Sequence, residues 1–175
     1  AFARITGIDD AAGGRTEFEF DAAHRVTKAV EPGGLETRYE YDAHGNVTKE
    51  TRPDGGVWRY TWTQTGELVS QTDPEGRTTT HEVNGAGLRT QTIQPDGSVI
   101  DYAYTAAGDL TQITWPSGAI ERFSYDSRGN LIERISPAGR VTSYEYDTAN
   151  RLVLERDGAG VVTRYEYDAA DNLTA

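Results

Sequence analysis

Carboxylates are the most numerous groups in this chain that could do chemistry, and they recur at a fixed interval. Asp21, Asp42, Asp126, Asp147 and Asp168 are separated by multiples of 21 residues, and each is followed three positions on by Gly, His, Asn or Asp. A general acid and a general base need two groups whose surroundings drive their pKa values apart. Repetition gives these five nearly identical surroundings, so their expected task is to accept backbone N–H groups in Asx-type turns. One carboxylate per loop is also poor provision for calcium, which takes six to eight oxygens. His24 and His44 fall at turn positions and His81 falls in a column of aromatics, with no nucleophile spaced to partner any of them. Zero cysteines exclude a disulfide framework and a thiolate metal site. The residues therefore predict a non-enzyme, with no catalytic, cofactor-binding or metal-ligating set.

A net charge of −11 argues against binding nucleic acid, because phosphate neutralisation needs clustered Lys and Arg. The seventeen basic residues are mostly arginines beside glutamates, as in Arg38/Glu40 and Arg164/Glu166. This pattern predicts a solvated strand face with cross-strand ion pairs. A negative wall also attracts a basic guest or partner.

Fourteen of the seventeen aromatics occupy two columns two residues apart, as in Tyr39/Tyr41, Phe123/Tyr125, Tyr144/Tyr146 and Tyr165/Tyr167. One use for them is packing between neighbouring strands. The other is a row of shallow slots for sugars or choline. Wall-binding modules of that second kind carry dense Trp-Tyr-Tyr clusters, whereas only Trp58, Trp62 and Trp115 occur here.

The elements that hold these residues follow from glycine. Gly13, Gly34, Gly55, Gly76, Gly97, Gly118, Gly139 and Gly160 form one column of period 21, and His24, Gly45, Gly66, Gly87, Gly108, Gly129, Asn150 and Asp171 form a second, eleven residues behind the first. All six prolines sit two residues before a first-column glycine. Both turns read as a type I turn followed by a left-handed residue, the three-residue hairpin loop with a bulge. Between them, Thr37-Arg38-Tyr39-Glu40-Tyr41 alternates with period two, and the return strand opens on an aliphatic column that includes Val26, Val47, Leu68, Leu110, Leu131 and Leu152. Each repeat is expected to be a strand of about seven residues, a turn, a strand of about six and a turn. With no helical segment, 36% hydrophobic residues and a mean hydropathy of −0.65, the chain predicts an all-β, continuous antiparallel meander of tandem hairpins, coiling as a ribbon without a thick core. Its first residues fall in phase with the second half of a repeat and its last open a strand that does not complete. Residues 1–175 are thus expected to be an internal fragment of a longer array, about eight repeats cut mid-repeat at both ends. Neither a signal peptide nor an apolar span is visible, and no membrane insertion is expected.

The segments Tyr39-Glu40-Tyr41-Asp42-Ala43-His44-Gly45-Asn46-Val47, Phe123 to Leu131 and Tyr144 to Leu152 resemble the Rhs or YD repeat, whose signature is a Tyr-Asp pair followed by Gly-Asn/Arg-Leu. The repeat signature in this chain comprises Tyr39, Tyr41, Asp42, Gly45, Tyr125, Asp126, Gly129, Leu131, Tyr144, Tyr146, Asp147, Leu152, Tyr165, Tyr167 and Asp168, with Gly34, Gly55, Gly76, Gly97, Gly118, Gly139 and Gly160. Departures are Trp62-Thr63, His81, Val83-Asn84, Arg89 and Thr105. The resemblance implies a segment of a hollow shell that encloses and helps deliver a C-terminal toxin domain, in a secreted or cell-surface bacterial protein. Similar repeats occur in the encapsulating components of Tc toxins and in teneurins. The implied partners are the rest of the array and the enclosed toxin domain, with secretion-machinery proteins and a glycan as further candidates. The competing reading is a cell-surface adhesion or carbohydrate-binding module. The family's Asp-Pro-x-Gly-Leu cleavage motif has a partial echo in Asp73-Pro74-Glu75-Gly76-Arg77, which is in phase with every other turn and is expected to be one. Open sheet edges also predict self-association of this segment, opposed by its charge at low salt.

Overall fold

The computed structural model describes residues 6–11 and 13–174. Its strands are β1 (Gly7–Asp9), β2 (Arg15–Phe20), β3 (Val26–Glu31), β4 (Leu35–Tyr41), β5 (Val47–Thr51), β6 (Val57–Trp62), β7 (Leu68–Thr72) and β8 (Thr78–Val83), then β9 (Arg89–Ile93), β10 (Val99–Tyr104), β11 (Leu110–Thr114), β12 (Ile120–Tyr125), β13 (Leu131–Ile135), β14 (Val141–Tyr146), β15 (Leu152–Arg156) and β16 (Val162–Arg164). No helix occurs among the described residues. Sheet order follows chain order from β1 to β16, so the all-β meander expected from the period is what forms. Two compact units are distinguished: Ala1–Gly87 with Ile93–Gly97, and Leu88–Thr92 with Ser98–Ala175.

Within the first unit the β6–β7 hairpin shows how one repeat is built. β6 has six residues and β7 five, one fewer each than the alternation suggested, because each loop takes five residues out of the period. At the first-column turn, Arg52 N–H donates to the Gly56 carbonyl at 2.9 Å and Gly55 N–H donates to the Arg52 carbonyl at 2.9 Å. At the second-column turn, Asp42 N–H donates to Asn46 and Gly45 N–H to Asp42, at 2.9 and 3.3 Å. Gly55 has φ 84° and Gly45 φ 98°, while the two residues before each have no positive φ. This is the type I turn with a following left-handed residue. Pro32-Gly33-Gly34 departs from it: Gly33 itself is at φ 90°, as a type II turn requires, and the ladder closes one pair nearer the turn, at Glu31↔Leu35.

The second unit repeats the plan, including its non-glycine exceptions, with Asn150 at φ 62° and Asp171 at φ 64°. It also shows a second irregularity that the alternation does not announce. In β12–β13 the register runs Ser124↔Glu133 and then Tyr125↔Leu131, so Ile132 is an extra residue. The same slip follows Glu145 in β14–β15 and, in the first unit, Glu19, Glu40 and Thr61. A β-bulge of this kind leaves one residue unpaired and sharpens the local twist.

Tyrosines and charges separate by face as the period demands: in β4, Tyr39 and Tyr41 are half-buried while Arg38 and Glu40 are exposed. Only Ile100, Thr92 and Glu121, all in the second unit, fall below a tenth exposed among the described residues. The charged face of the first unit carries cross-strand pairs, with Lys28 on Glu19 at 3.0 Å and Glu36 at 3.2 Å and Lys49 on Glu40 at 2.7 Å. Arg38 pairs with Glu36 on its own strand.

A Cβ at Gly129 would meet nothing within 4 Å, so its requirement is purely the backbone's φ of 85°. Gly129→Ala is expected to lower unfolding free energy by about 1 kcal/mol, whereas Asn150→Gly, which relieves the same conformation, should leave it unchanged or slightly raised. Equal urea midpoints for the two variants would contradict the assignment of the turns.

Candidate functional site

The chemistry of this chain lies in the second aromatic column. Tyr41 Oη donates to the Val26 carbonyl at 2.6 Å and Trp62 Nε1 to the Val47 carbonyl at 2.7 Å in the first unit. In the second unit Tyr104, Tyr125, Tyr146 and Tyr167 donate to Arg89, Leu110, Leu131 and Leu152 at 2.7, 2.9, 3.0 and 2.9 Å. Every acceptor lies fifteen residues back in the aliphatic column and is the first residue after the preceding second-column loop. Those carbonyls lie beyond the last registered pair of the adjoining ladder: β13 and β14 pair no further than Glu133↔Ser143, and Leu131 is outside. A buried carbonyl without a donor is costly, and the phenol of the next repeat supplies one. Burial pushes the Tyr41, Tyr104, Tyr125 and Tyr146 hydroxyls above their ordinary pKa, which keeps them as donors.

Trp62, a departure from the Tyr signature, keeps the bond because its indole N–H is also a donor. Val83, at the same column position, has none to give. Two phenol rings are also covered by a guanidinium from the preceding repeat, Arg25 over Tyr41 at 4.6 Å and Arg151 over Tyr167 at 4.9 Å.

The second-column turns begin with a side-chain oxygen that caps two backbone donors. Asp42 Oδ1 accepts from His44 and Asn46 N–H, both at 2.9 Å, and Asp126 does the same for Arg128 and Asn130. Asp147 and Asp168 repeat it with Ala149 and Arg151 and with Ala170 and Asn172. The other carboxylate oxygen takes a side chain four residues on, from Asn46, Asn130, Arg151 or Asn172. Donation by Asn46, Asn130 and Asn172 is the main force holding Asp42, Asp126 and Asp168 below the usual 3.8.

Where the turn begins with Thr the pair is inverted. Thr63 Oγ1 accepts from Thr65 and Glu67 N–H and donates to the Glu67 carboxylate, and Thr105 Oγ1 accepts from Ala107 and Asp109 N–H and donates to Asp109 at 3.1 Å. An acceptor-only Asp is matched to a donor, and a hydroxyl that can donate is matched to a carboxylate. This rule was present in the residues at these positions, but it is visible only once the two are known to touch.

Gly34, Gly55, Gly76, Gly97, Gly118, Gly139 and Gly160 all sit at φ between 75° and 87° in the other turn. Asp73-Pro74-Glu75-Gly76-Arg77 is one of these turns: Asp73 N–H donates to Arg77 and Gly76 N–H to Asp73, both at 3.0 Å. In the first aromatic column, Tyr39 faces Glu50, Tyr144 faces Glu155, and Tyr165 Oη donates to Glu155 at 3.2 Å. The structure does not gather the histidines or the turn aspartates into one place, and among the described residues no group of three or more His, Asp or Glu is arranged to hold a metal.

A row of bulged hairpins, with Tyr41, Trp62, Tyr104, Tyr125, Tyr146 and Tyr167 each clamping its repeat to the one before, defines a β-repeat wall. The sequence matches the teneurin YD-shell family model over residues 4–175, and the chain belongs to that family of Rhs/YD-repeat shells. Solved structures share the fold. A TcdB2-TccC3-Cdc42 crystal structure superposes with a TM-score of 0.59 at 18% identity over 95% of this chain. A TcdB2-TccC3 crystal structure and the Photorhabdus luminescens Tc holotoxin pore each superpose at 0.58 and 17% identity over 96%. The chain spans only 12%, 12% and 11% of those chains. No curated protein matches it.

Outcomes are expected first for side-chain replacement, at the clamp and in the turn, and second for acid. Tyr146→Phe, which removes only the bond to Leu131, should cost about 1 kcal/mol, Tyr146→Ala distinctly more, and Glu145→Ala on the exposed face almost nothing. In the turn, Asp126→Thr should destabilise alone and be rescued by Asn130→Asp in a double-mutant cycle; additive effects would refute the inverted pair. The second outcome concerns acid. Folding lowers the pKa of these aspartates, so their stabilisation is present above the unfolded value near 3.8 and is lost as pH falls through the lower folded values. Melting temperature should hold level from neutral pH to about 5 and fall steeply only below about 4.

Proposed function

We propose that this chain is a non-catalytic wall segment of an Rhs/YD-repeat shell that encloses a C-terminal toxin domain and helps to deliver it, in a secreted or cell-surface bacterial protein. The observation that carries the reading is the family match across residues 4–175, joined to a 21-residue period without insertion. Tc toxin structures of TcdB2 with TccC3 lend support as fold relatives. A wall needs what this chain has: elements that lock to their neighbours by main-chain ladders and one repeated side-chain bond. It does not need a unique constellation of acid, base and nucleophile. The rest of the array and the enclosed domain are then its natural partners, and residues 1–175 are an internal stretch of about eight repeats.

The test uses the full-length protein under limited proteolysis. A domain lying C-terminal to the repeats should resist cleavage while the shell is folded. It should become sensitive when Tyr125, Tyr146 and Tyr167 are replaced together by Ala. Protease sensitivity of that domain in the intact protein would overturn encapsulation, and a saccharide hit on a glycan array that disappears with the same tyrosines would replace it with the adhesion reading.

A further inference from the structure

The first aromatic column contains a feature that the wall itself does not require. Between each pair of consecutive residues in that column lies one residue of the return strand, and in seven successive gaps it is Ala29, Glu50, Gln71, Thr92, Ile113, Arg134 and Glu155. Glu occupies it twice, and these are the two gaps with tyrosine on both sides: Tyr39-Glu50-Tyr60 in the first unit and Tyr144-Glu155-Tyr165 in the second. The tyrosine on the far side donates to the carboxylate in both, at 3.1 Å from Tyr60 and 3.2 Å from Tyr165.

The first of these sites contains its own cation. Arg52 Nε lies 2.7 Å from Glu50 Oε1, and its guanidinium carbon lies 4.8 Å from the centre of the Trp58 ring, the residue opposite Glu50. The molecule thus displays what chemistry suits a carboxylate set between aromatic rings: a planar guanidinium that pairs with the oxygen and stacks on a π-face. In the second site the positions equivalent to Arg52 and Trp58 are Asp157 and Thr163, and Thr163 is exposed. Among the described residues, no Lys or Arg pairs with Glu155. Nearby Arg134 is held by Glu121, and Arg151 by Asp147 and Asp171. The site in the second unit has the same two tyrosines and carboxylate, with Thr163 in place of the ring that Arg52 stacks on, without the built-in cation, and with a further negative charge where that cation would start.

We propose that Tyr144, Glu155 and Tyr165 form a binding site for an arginine side chain of a partner polypeptide, the guanidinium taking the place that Arg52 fills at Glu50. The chain's charge of −11 favours a basic partner over an acidic one. The inference does not depend on what the shell carries, and it stands apart from the clamp column, whose donors are already committed to carbonyls.

The 175-residue chain is titrated with acetyl-Gly-Gly-Arg-Gly-Gly-amide and followed by NMR at the tyrosine rings. Saturable shifts are expected at Tyr144 and Tyr165 and not at Tyr39 or Tyr60, with the Gln-for-Arg peptide inert. Glu155→Gln should weaken binding by roughly tenfold or more, and Asp157→Arg, which installs the missing internal cation, should abolish it. Glu50→Gln should leave the Tyr144 and Tyr165 shifts unchanged. The gain-of-function arm is Arg52→Ala, which should open the first site and bring Tyr60 into the response. Absence of shifts in the wild-type chain, equal binding by Glu155→Gln, an equal response to the Gln peptide, or failure of Arg52→Ala to recruit Tyr60 would each overturn the proposal.

Discussion

Where a tyrosine or tryptophan occupies the second aromatic column, it satisfies a carbonyl of the preceding repeat that lies out of reach of the ladder, and much of the architecture follows from how it does so. The bulge after residues such as Ser124 and Glu145 inserts a residue, and the adjoining ladder stops short of the first aliphatic residue of the return strand. An aromatic with a polar tip in the next repeat reaches that carbonyl from fifteen residues away. A phenol or indole is the right tool because one side chain provides apolar area along its ring and a donor at its end. The bond therefore couples a repeat to its successor by a contact distinct from the strand ladder. This is the nearest-neighbour coupling on which solenoid stability rests.

Such coupling explains why a chain of this length needs almost no conventional core. Isolated two-stranded hairpins are marginal in water, and only three described residues are buried. Stabilisation is spread over repeated features: the left-handed turn residue, the Asp or Thr that caps two backbone donors, and the aromatic clamp. Local weakness is then local in effect. Val83 lacks the donor that its column usually supplies, yet ordinary ladder pairing precedes it and the Gly87 N–H still donates to the Asn84 carbonyl in the turn that follows.

The sequence made the period, the turn type and the face of each tyrosine legible because those depend on residues close together in the chain. Glycine at positive φ, proline two residues earlier and alternation with period two are local statements. The second bulge, at Ile132 and its equivalents in the return strand, was not legible, since an extra residue in one strand is defined only against its partner's register. The clamp was partly legible: Tyr41, Tyr125, Tyr146 and Tyr167 stood out as an aromatic column, but their acceptors are main-chain carbonyls, which leave no mark in composition. Trp62 and Thr63 look like losses of the repeat signature and are functional equivalents, one preserving a donor and the other an acceptor.

The inverted turn pairs show how such substitutions persist together. An Asp at the turn start offers only acceptors, so its partner four residues on must donate, and Asn46, Asn130, Arg151 and Asn172 do. A Thr can accept from the backbone and still donate its own proton, and the Glu67 and Asp109 carboxylates take that proton. Changing one member alone removes the bond, and an Asp facing a second carboxylate sets two acceptors face to face. The repeats therefore vary in complementary steps, with backbone geometry held constant while side-chain polarity reverses. Glu155, between two tyrosines, stands outside this pairing of turn residues: its partner is the Tyr165 hydroxyl of the next repeat.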